Sequence, residues 1–249
     1  MILNFLRWNF PFKQLIKRTP LFRPLLRSIS CTLNPYLYRR FEIIKQKNIN
    51  IVLDVGAHRG EFGIHLRQFG YSKKIISFEP VSASFAKLTK LSKKDPLWEC
   101  HNFALGNKEE TKKIHILNCT PASSFLEASD LLIENYGDMM RKQNEESVQV
   151  KRLDQILPQL CKPSDSVFLK MDTQGFEKNV LEGAGKYLQK IPLVLFEVSL
   201  VPAYKNEPLI AEMIEYMAEK GFIPVSIEPG DYNHTTMQQL QVDILFWRK

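Results

Sequence analysis

The stretch Val52–Gly63, Val-Leu-Asp-Val-Gly-Ala-His-Arg-Gly-Glu-Phe-Gly, decides the fold of this chain. Its apolar start predicts a buried strand that ends at Asp54. Gly56 and Gly60 then predict a tight turn, because glycine adopts positive φ without steric cost. A helix is expected after this turn. A strand, a glycine turn and a helix in this order are typical of the first unit of an α/β domain.

A second apolar strand, Lys74–Phe78, ends on Glu79. An acid at such a strand end accepts hydrogen bonds from both hydroxyls of a ribose, and the glycines let backbone approach a ligand closely. Gly56 and Gly60 are four positions apart, and no Gly-x-Gly-x-x-Gly occurs, so a pyrophosphate is disfavoured. The pattern therefore favours S-adenosylmethionine, a nucleoside without phosphate.

Residues 42–249 predict one Rossmann-like α/β domain. Seven strand-like runs alternate with helical segments, which predicts a seven-stranded, mostly parallel sheet with helices on both faces. Only a loop separates the last two strands, Phe222–Ile227 and Val242–Trp247, so the last strand is expected to be antiparallel. The segment Thr120–Glu146 has no clear place in this sheet, and we expect it to contact the substrate.

Several boundaries follow from the same pattern of apolar runs. Trp98–Phe103 is predicted as the third strand, and Phe176–Tyr187 as a single helix. Lys112–Leu117 and Ser147–Lys151 are predicted as two β-like pieces on either side of the segment without a clear place.

Residues 1–41 form a basic and apolar arm. The chain has a net charge of +7, and the arm contributes eight basic side chains and no acid, which leaves −1 for the rest. This distribution argues against nucleic-acid binding by the domain. The arm has no apolar run of about 20 residues, as a membrane span requires. Two roles stay open: a cap packed over the substrate pocket, or peripheral contact with an anionic membrane surface.

The four cysteines are scattered and include no Cys-x-x-Cys pair. This favours free thiols and a cytoplasmic protein, without a secretory signal. No histidine spacing of the His-Glu-x-x-His kind indicates a metal. The sequence leaves the oligomeric state open.

Four acids lie at the tips of predicted strands, at the edge where ligands bind in such sheets: Asp54, Glu79, Asp172 and Glu197. Asp54 is expected to shape the first turn and to accept a hydrogen bond from the amino group of the cofactor. Glu79 is expected to accept the ribose hydroxyls. The whole predicted cofactor site consists of Asp54, Gly56, Ala57, His58, Gly60, Glu79, Pro80, Asn102 and Ala104.

Two of these positions carry finer expectations. His58 either binds the carboxylate of the cofactor or is an ordinary loop residue. The end of the third strand, from Asn102 to Ala104, is expected to face the adenine, where Asn102 could bind the edge of the ring.

The block Lys170–Ala184 supplies the predicted catalytic residues. A strand ends on Asp172, beside the expected position of the cofactor's methyl group. We expect Asp172 to orient an acceptor hydroxyl or to act as general base, assisted by Glu197 or Glu177. Glu177 would also favour the start of a helix without any catalytic role. A divalent cation between Asp172 and Glu197 is left open, since hard cations bind carboxylates.

Six motifs together resemble the FkbM-type methyltransferases, over residues 49–247. They are Asp-Val-Gly-Ala-x-x-Gly (54–60), Phe-Glu-Pro (78–80), Arg-Leu-Asp (152–154), Lys-Met-Asp-x-Gln-Gly-x-Glu (170–177), Val-Leu-x-Gly-Ala (180–184) and Phe-Glu-Val (196–198). The resemblance implies a class I S-adenosylmethionine-dependent enzyme that methylates a hydroxyl of a sugar, a glycan or another secondary metabolite. Members of that family commonly have Asn at the position of His58.

Two other interpretations have lower support. A methyltransferase-like binding protein without activity would sit at a membrane or partner surface, but the intact acids and glycines argue against lost activity. An NAD or nucleotide-sugar enzyme is disfavoured because the pyrophosphate fingerprint and a Tyr-x-x-x-Lys motif are absent from the sequence.

Overall fold

The computed structural model describes residues 35–249, so the prediction for most of the arm lies outside the described residues. The helices are α1 (Pro35–Gln46), α2 (Glu61–Gln68), α3 (Ser82–Ser92), α4 (Asp130–Tyr136), α5 (Leu153–Leu160), α6 (Glu177–Gly183) and α7 (Ile210–Glu219). The strands are β1 (Ile51–Val55), β2 (Lys74–Phe78), β3 (Trp98–His101), β4 (Ala104–Leu105), β5 (Glu110–Leu117), β6 (Lys142–Lys151), β7 (Val167–Met171), β8 (Leu193–Ser199), β9 (Phe222–Pro229) and β10 (Gln241–Arg248). Short 3-10 helices occupy Thr120–Ala122, Gly137–Met140 and Gly185–Lys190.

The main sheet has seven strands in the order β3-β2-β1-β7-β8-β10-β9. The neighbours from β3 to β8 pair in parallel, and β10 pairs antiparallel with both β8 and β9. Residues 230–240 between β9 and β10 form a loop too short for a parallel crossover, so the chain turns back and places β10 between β8 and β9. The predicted Rossmann-like sheet with an antiparallel last strand is confirmed.

Helices cover both faces of this sheet, as predicted. Leu53 in β1 belongs to a core that includes Val180 of α6 and Met213 of α7. Its neighbour Val52 points to the opposite face and belongs to a core that includes Leu66 of α2. Every residue of β1 is buried for this reason, which explains why the strand, apart from Asp54, is apolar without alternation.

The segment without a predicted place connects two strands of a small second sheet, which has the order β4-β6-β5, and its last residues, 142–146, belong to β6. β5 and β6 form an antiparallel pair, and β4 adds to β6 in parallel. The two β-like pieces on either side of the insertion are therefore partners. The residues between them, including α4 and two short 3-10 helices, pack around Leu117, Leu132 and the buried Tyr204.

Several predicted boundaries were wrong. β6 begins at Lys142 and not at Ser147, so the strand starts inside the predicted insertion. β1 continues past Asp54 to Val55, so Asp54 lies within the strand and not at its end.

Two more boundaries differ from the prediction. The third strand ends at His101, since the chain turns there and the next two residues in β conformation, Ala104 and Leu105, pair with β6 instead. The helix predicted over Phe176–Tyr187 ends at Gly183, because Gly185 has a φ of +51° and the chain continues as a 3-10 helix.

Helix α1 attaches the end of the arm to the domain. Arg40 is buried and forms ion pairs with Glu228 in β9, at 2.7 Å, and with Asp243 in β10, at 3.3 Å. The predicted boundary between arm and domain, at residue 41, falls inside this helix. None of the helices described between residues 35 and 249 has the length and apolar character needed to cross a bilayer.

We expect Gly183→Ala to destabilise the protein. An added Cβ would lie 1.9 Å from the carbonyl oxygen of Gly106, where α6 crosses the end of β4. Alanine usually stabilises a helix by about 1 kcal/mol relative to glycine, but overpacking against a rigid backbone costs about 1–3 kcal/mol or more. The urea midpoint should therefore fall. The exposed Lys186 offers a control, since Lys186→Ala should leave the midpoint nearly unchanged. An unaltered midpoint for Gly183→Ala would contradict the close approach.

Candidate active site

A cavity of about 610 Å³ lies at the carboxyl ends of the central strands. Glu79 after β2 and Asp172 after β7 both line it, with Gly56 after β1 between these strands in the sheet. Part of the small sheet and the segment Asn118–Pro121 complete the wall. The volume is in the range of sites for small ligands and cofactors.

The glycine turn fits tightly between β2 and β7. The backbone N–H groups of Gly56 and Ala57 both donate to the carbonyl of Phe78, at 3.0 and 3.1 Å. Gly56 has a φ of +71°, and a Cβ there would lie 1.9 Å from the carbonyl oxygen of Asp172. Only glycine fits at this position, because both the backbone conformation and the available space exclude a side chain.

Gly60 has a packing role that the sequence did not predict. A Cβ at Gly60 would lie 3.0–3.1 Å from Leu88 and Trp98, so this glycine allows α2 to pack against α3 and β3. It does not line the cavity. Direct contact between Gly60 and a cofactor stays a prediction.

Glu79 is held rigidly at the end of β2. Its Oε2 accepts a hydrogen bond from the backbone N–H of His58 at 2.7 Å, and its Oε1 accepts one from Val81 at 2.9 Å. Burial raises the pKa of Glu79 to about 8, although these two hydrogen bonds oppose the shift. A carboxylate has about four acceptor sites, so two remain for the hydroxyls of a ligand.

Asn102 supports the end of β2 and lies outside the cavity wall. Its Nδ2 donates to the carbonyl oxygens of Glu79, at 2.9 Å, and Pro80, at 3.0 Å. Pro80 and the buried Ala104 line the cavity. Next to them lies an apolar wall, whose side chains are Val81, Leu105, Ile114 and Phe125.

Asp54 is completely buried and lies behind the cavity. Its Oδ1 lies 3.0 Å from Nζ of Lys170, the residue opposite it in β7, and its Oδ2 accepts a hydrogen bond from Ser77 at 3.2 Å. Lys170 does line the cavity. Burial by itself lowers the pKa of Lys170, but the negative charges of Asp54 and Asp172 outweigh it and raise the pKa. The structure thus gives the Asp54 carboxylate two protein partners in place of the predicted cofactor amino group.

Gln174 connects Asp172 with Glu197. Its Nε2 donates to Oδ1 of Asp172 at 2.7 Å and to Oε1 of Glu197 at 3.2 Å. Gln241 donates to the same oxygen of Glu197 at 3.0 Å. Burial and the nearby charge of Asp172 raise the pKa of Glu197 well above its usual value. Asp172 faces the main cavity, whereas Glu197 lines a separate, smaller pocket beside Gln241.

Sequence reasoning missed Gln174 as a functional position. It is almost fully buried, has a φ of +54°, and accepts a hydrogen bond at its backbone carbonyl from Ser124. The hydroxyl of Tyr204 lies 2.8 Å from its Oε1. A positive φ in a residue other than glycine is a strained conformation that often marks a functional site. The only sequence signal was its place before Gly175 in the Asp-Thr-Gln-Gly turn.

Glu177 is buried at the start of α6 and does not line the main cavity. Its Oε1 accepts hydrogen bonds from the backbone N–H and the hydroxyl of Thr173, at 2.7 and 2.9 Å. Burial raises its pKa to about 7. These contacts fix the turn that follows Asp172. Glu177 therefore supports the position of Asp172 without lining the main cavity itself.

His58 links the glycine turn to the insertion. Its Nε2 lies 3.1 Å from the hydroxyl of Thr120, and its Nδ1 lies 3.3 Å from the carboxylate of Glu61. All three residues line the cavity. Both ring nitrogens of His58 therefore have protein partners.

The donor set does not fit the metal left open by the sequence. Within residues 35–249, no group of three or more His, Cys, Asp and Glu side chains is arranged to hold a metal ion. Between Asp172 and Glu197, the position that a cation would need is occupied by the amide nitrogen of Gln174, which donates to both.

The sheet order, the glycine turn and the acid after β2 define a Rossmann-like protein of the class I methyltransferase type. The family model described as the methyltransferase FkbM domain matches residues 54–224, more than half of the chain. The chain belongs to the FkbM methyltransferase family, and the resemblance recognised in the motifs is confirmed.

The chain is also similar to individual known proteins, at low sequence identity. "Methyltransferase 1" of Beauveria bassiana (strain ARSEF 2860) is 22% identical over 158 residues, which cover 59% of this chain and 64% of that protein. A solved structure of an rRNA methylase from Streptococcus thermophilus has a TM-score of 0.47 at 11% identity, and covers 85% of this chain and 95% of its own. The structure of Aeropyrum pernix fibrillarin, solved with bound S-adenosyl-L-methionine, has a TM-score of 0.44 at 10% identity. The match covers 79% of this chain and 66% of the fibrillarin chain. At these values the likenesses do not bear on the acceptor or on single residues.

Asp54→Ala should destabilise the protein strongly, because it leaves the buried Lys170 without its nearest counter-charge. Removing one partner of a buried ion pair costs about 3–5 kcal/mol. The double variant Asp54→Ala/Lys170→Met removes both charges and should recover most of this loss in the free energy of unfolding, measured with urea.

Asp138 and Arg141 provide the matched control, since this ion pair is exposed. Asp138→Ala should change the free energy of unfolding by less than about 1 kcal/mol. If the Asp54 and Lys170 substitutions instead destabilise additively, the two charges do not depend on each other.

Proposed function

We propose that the protein binds S-adenosylmethionine in the 610 Å³ cavity and transfers its methyl group to a hydroxyl of a small molecule. A sugar, a glycan or another secondary metabolite is the proposed acceptor. One observation carries this proposal: Glu79 and Asp172, from strands on either side of β1, line the same cavity. Membership of the FkbM family supports methyl transfer as the reaction.

The residues present fit the nucleoside part of the cofactor. Glu79 offers two free acceptor positions at the cavity wall, which suit the hydroxyls of a ribose. The apolar wall formed with Ala104 and Phe125 suits the faces of an adenine ring. Gly56 and Ala57 expose backbone close to this position.

Asp172 is the proposed catalytic residue. The cofactor supplies an activated methyl group, and the protein must align an acceptor hydroxyl and remove its proton. The side chain of Asp172 is 37% exposed and faces the cavity. Gln174 fixes one carboxylate oxygen, and Nζ of Lys170 lies 3.9 Å from the other. Glu197 acts through Gln174, and Glu177 holds the turn in which Asp172 lies.

We further propose a cytoplasmic protein whose partner is a small-molecule or glycan acceptor, not a nucleic acid. The arm, residues 1–41, keeps the two roles that its sequence allows. Packing on the domain is supported for its last residues, because Arg40 and Phe41 are buried. Peripheral contact with an anionic membrane is supported by its charge and apolar side chains.

Cofactor affinity should rise with pH through Glu79. The pKa of Glu79 is about 8 in the ligand-free site, and ribose hydroxyls donate to the ionised carboxylate. Below pH 8 binding must therefore release a proton, so affinity should increase by up to about tenfold per pH unit and become constant above pH 8. Calorimetry with S-adenosylhomocysteine between pH 6 and 9 measures this slope.

Glu79→Gln provides the control because it keeps the shape of the side chain and removes the titration. The variant should bind more weakly than the ionised wild type and should lose the slope below pH 8. A wild-type affinity independent of pH over this range would contradict ribose binding by an ionised Glu79.

Asp172→Asn should lower turnover by about 10²–10⁴-fold, since general base catalysis contributes this much. Its affinity for S-adenosylhomocysteine should change far less. A screen of glycans and small hydroxylated molecules, with mass detection of one added CH₂, first identifies an acceptor. Asp138→Asn, at an exposed position, should retain wild-type turnover. Full turnover in Asp172→Asn would remove Asp172 from the mechanism.

A further inference from the structure

Arg59 is a cation of the cavity wall, and among residues 35–249 no hydrogen bond or ion pair is found for its side chain. It follows His58 in the glycine turn and lines the cavity. Its backbone N–H donates to Glu61, but its Nε is buried and has no hydrogen-bond acceptor, and no described carboxylate forms an ion pair with it. Leaving a charged donor buried and unsatisfied costs free energy that a bound acceptor would recover.

The other strong cations of the cavity wall are neutralised within the protein. Lys170 lies against Asp54, and Arg40 is paired with Glu228 and Asp243. The arginine and lysine residues of the cavity wall are Arg40, Arg59 and Lys170. Within the described part of the chain, Arg59 differs from the other two because no carboxylate is paired with it. A mobile surface arginine would be solvated, but Nε of Arg59 is shielded from water.

The start of α2 adds to the positive potential next to Arg59. Gly60 is the N-cap and has no side chain to accept from the first N–H groups of this eight-residue helix. Helix N-termini favour anions. The carboxylate of Glu61 is nearby, but it already contacts Nδ1 of His58 and the backbone N–H of Arg59.

We propose that Arg59 is the anion receptor of the cavity and binds a carboxylate or phosphate group of a bound ligand. This inference rests on the proposed function. A guanidinium binds such planar or tetrahedral anions with two parallel hydrogen bonds. The anion comes either from the amino-acid part of the cofactor or from an acidic acceptor. Arg59 is better suited than His58 to this role, because both ring nitrogens of His58 have protein partners.

Calorimetry on the full chain and on Arg59→Gln tests the proposal. S-adenosylhomocysteine carries the carboxylate, and methylthioadenosine is the same nucleoside without it. Inorganic phosphate, titrated into the S-adenosylhomocysteine complex at constant ionic strength, probes an anion of the acceptor. Arg59→Gln should lower the affinity for S-adenosylhomocysteine or for phosphate by about tenfold or more. The affinity for methylthioadenosine should fall by less than twofold.

The outcomes separate the two sources. A lower affinity for S-adenosylhomocysteine alone assigns Arg59 to the carboxylate of the cofactor. Loss of phosphate binding with an unchanged affinity for S-adenosylhomocysteine assigns Arg59 to an acidic acceptor. If Arg59→Gln binds all three probes like the wild type, the proposal is overturned. If the wild type binds neither nucleoside, the proposed function fails instead, and phosphate binding to the ligand-free protein then decides the role of Arg59.

Two variants serve as controls. Arg59→Lys keeps the charge without the paired donors and should show an intermediate affinity for the anion. Arg141→Gln, which removes an exposed arginine outside the cavity, should match the wild type with every probe. Thermal unfolding of Arg59→Gln should stay close to that of the wild type, since the substitution removes no hydrogen bond from the buried Nε of Arg59 to the described residues.

Discussion

The contact between the glycine turn and the end of β7 is the constraint on which the rest of the site depends. Gly56 approaches the carbonyl of Asp172 so closely that no side chain fits, and the backbone N–H of Asp172 donates to Val55 at 3.0 Å. The same turn donates to β2 at Phe78. One short segment therefore fixes the distance between the residue that would hold the ribose, Glu79, and the proposed base, Asp172.

Asp172 has a charged neighbour, Lys170, on one side and a neutral amide, Gln174, on the other. Lys170 lines the cavity and is paired with the buried Asp54 behind it, and Nζ of Lys170 also lies 3.9 Å from Oδ2 of Asp172. Beyond Asp172 the links are neutral amides, since Gln174 and Gln241 donate to Glu197. Burial and the negative charge of Asp172 raise the pKa of Glu197, and the amides add no positive charge that would oppose these two effects.

Much of the fold could be predicted from the sequence because its central strands are buried on both faces. β2 was predicted with its observed bounds, since an apolar run between polar turns has few alternatives. The small sheet was harder, because β4 has only two residues and its partner β6 lies beyond a long insertion. The site residues also differ in whether local sequence or distant contacts determine them. Glu79 and Asp172 were found from strand ends, whereas the partners of Asp54 and Asn102 depend on side-chain directions that sequence does not give. Gln174 depends on contacts with Ser124 and Tyr204, which are distant in the chain.

Tyr204 has one hydroxyl proton and two acceptors within reach: Oε1 of Gln174, at 2.8 Å, and the carbonyl of Ala122, at 2.7 Å. Burial raises the pKa of Tyr204 far above its usual value, so this proton is always present. Ala122 belongs to the insertion, and Gln174 holds the proposed base Asp172. These two parts of the site thus compete for the one proton that Tyr204 can donate. A substitution that moves the backbone at Ala122 would therefore also alter the contact of Tyr204 with Gln174, and through Gln174 the position of Asp172.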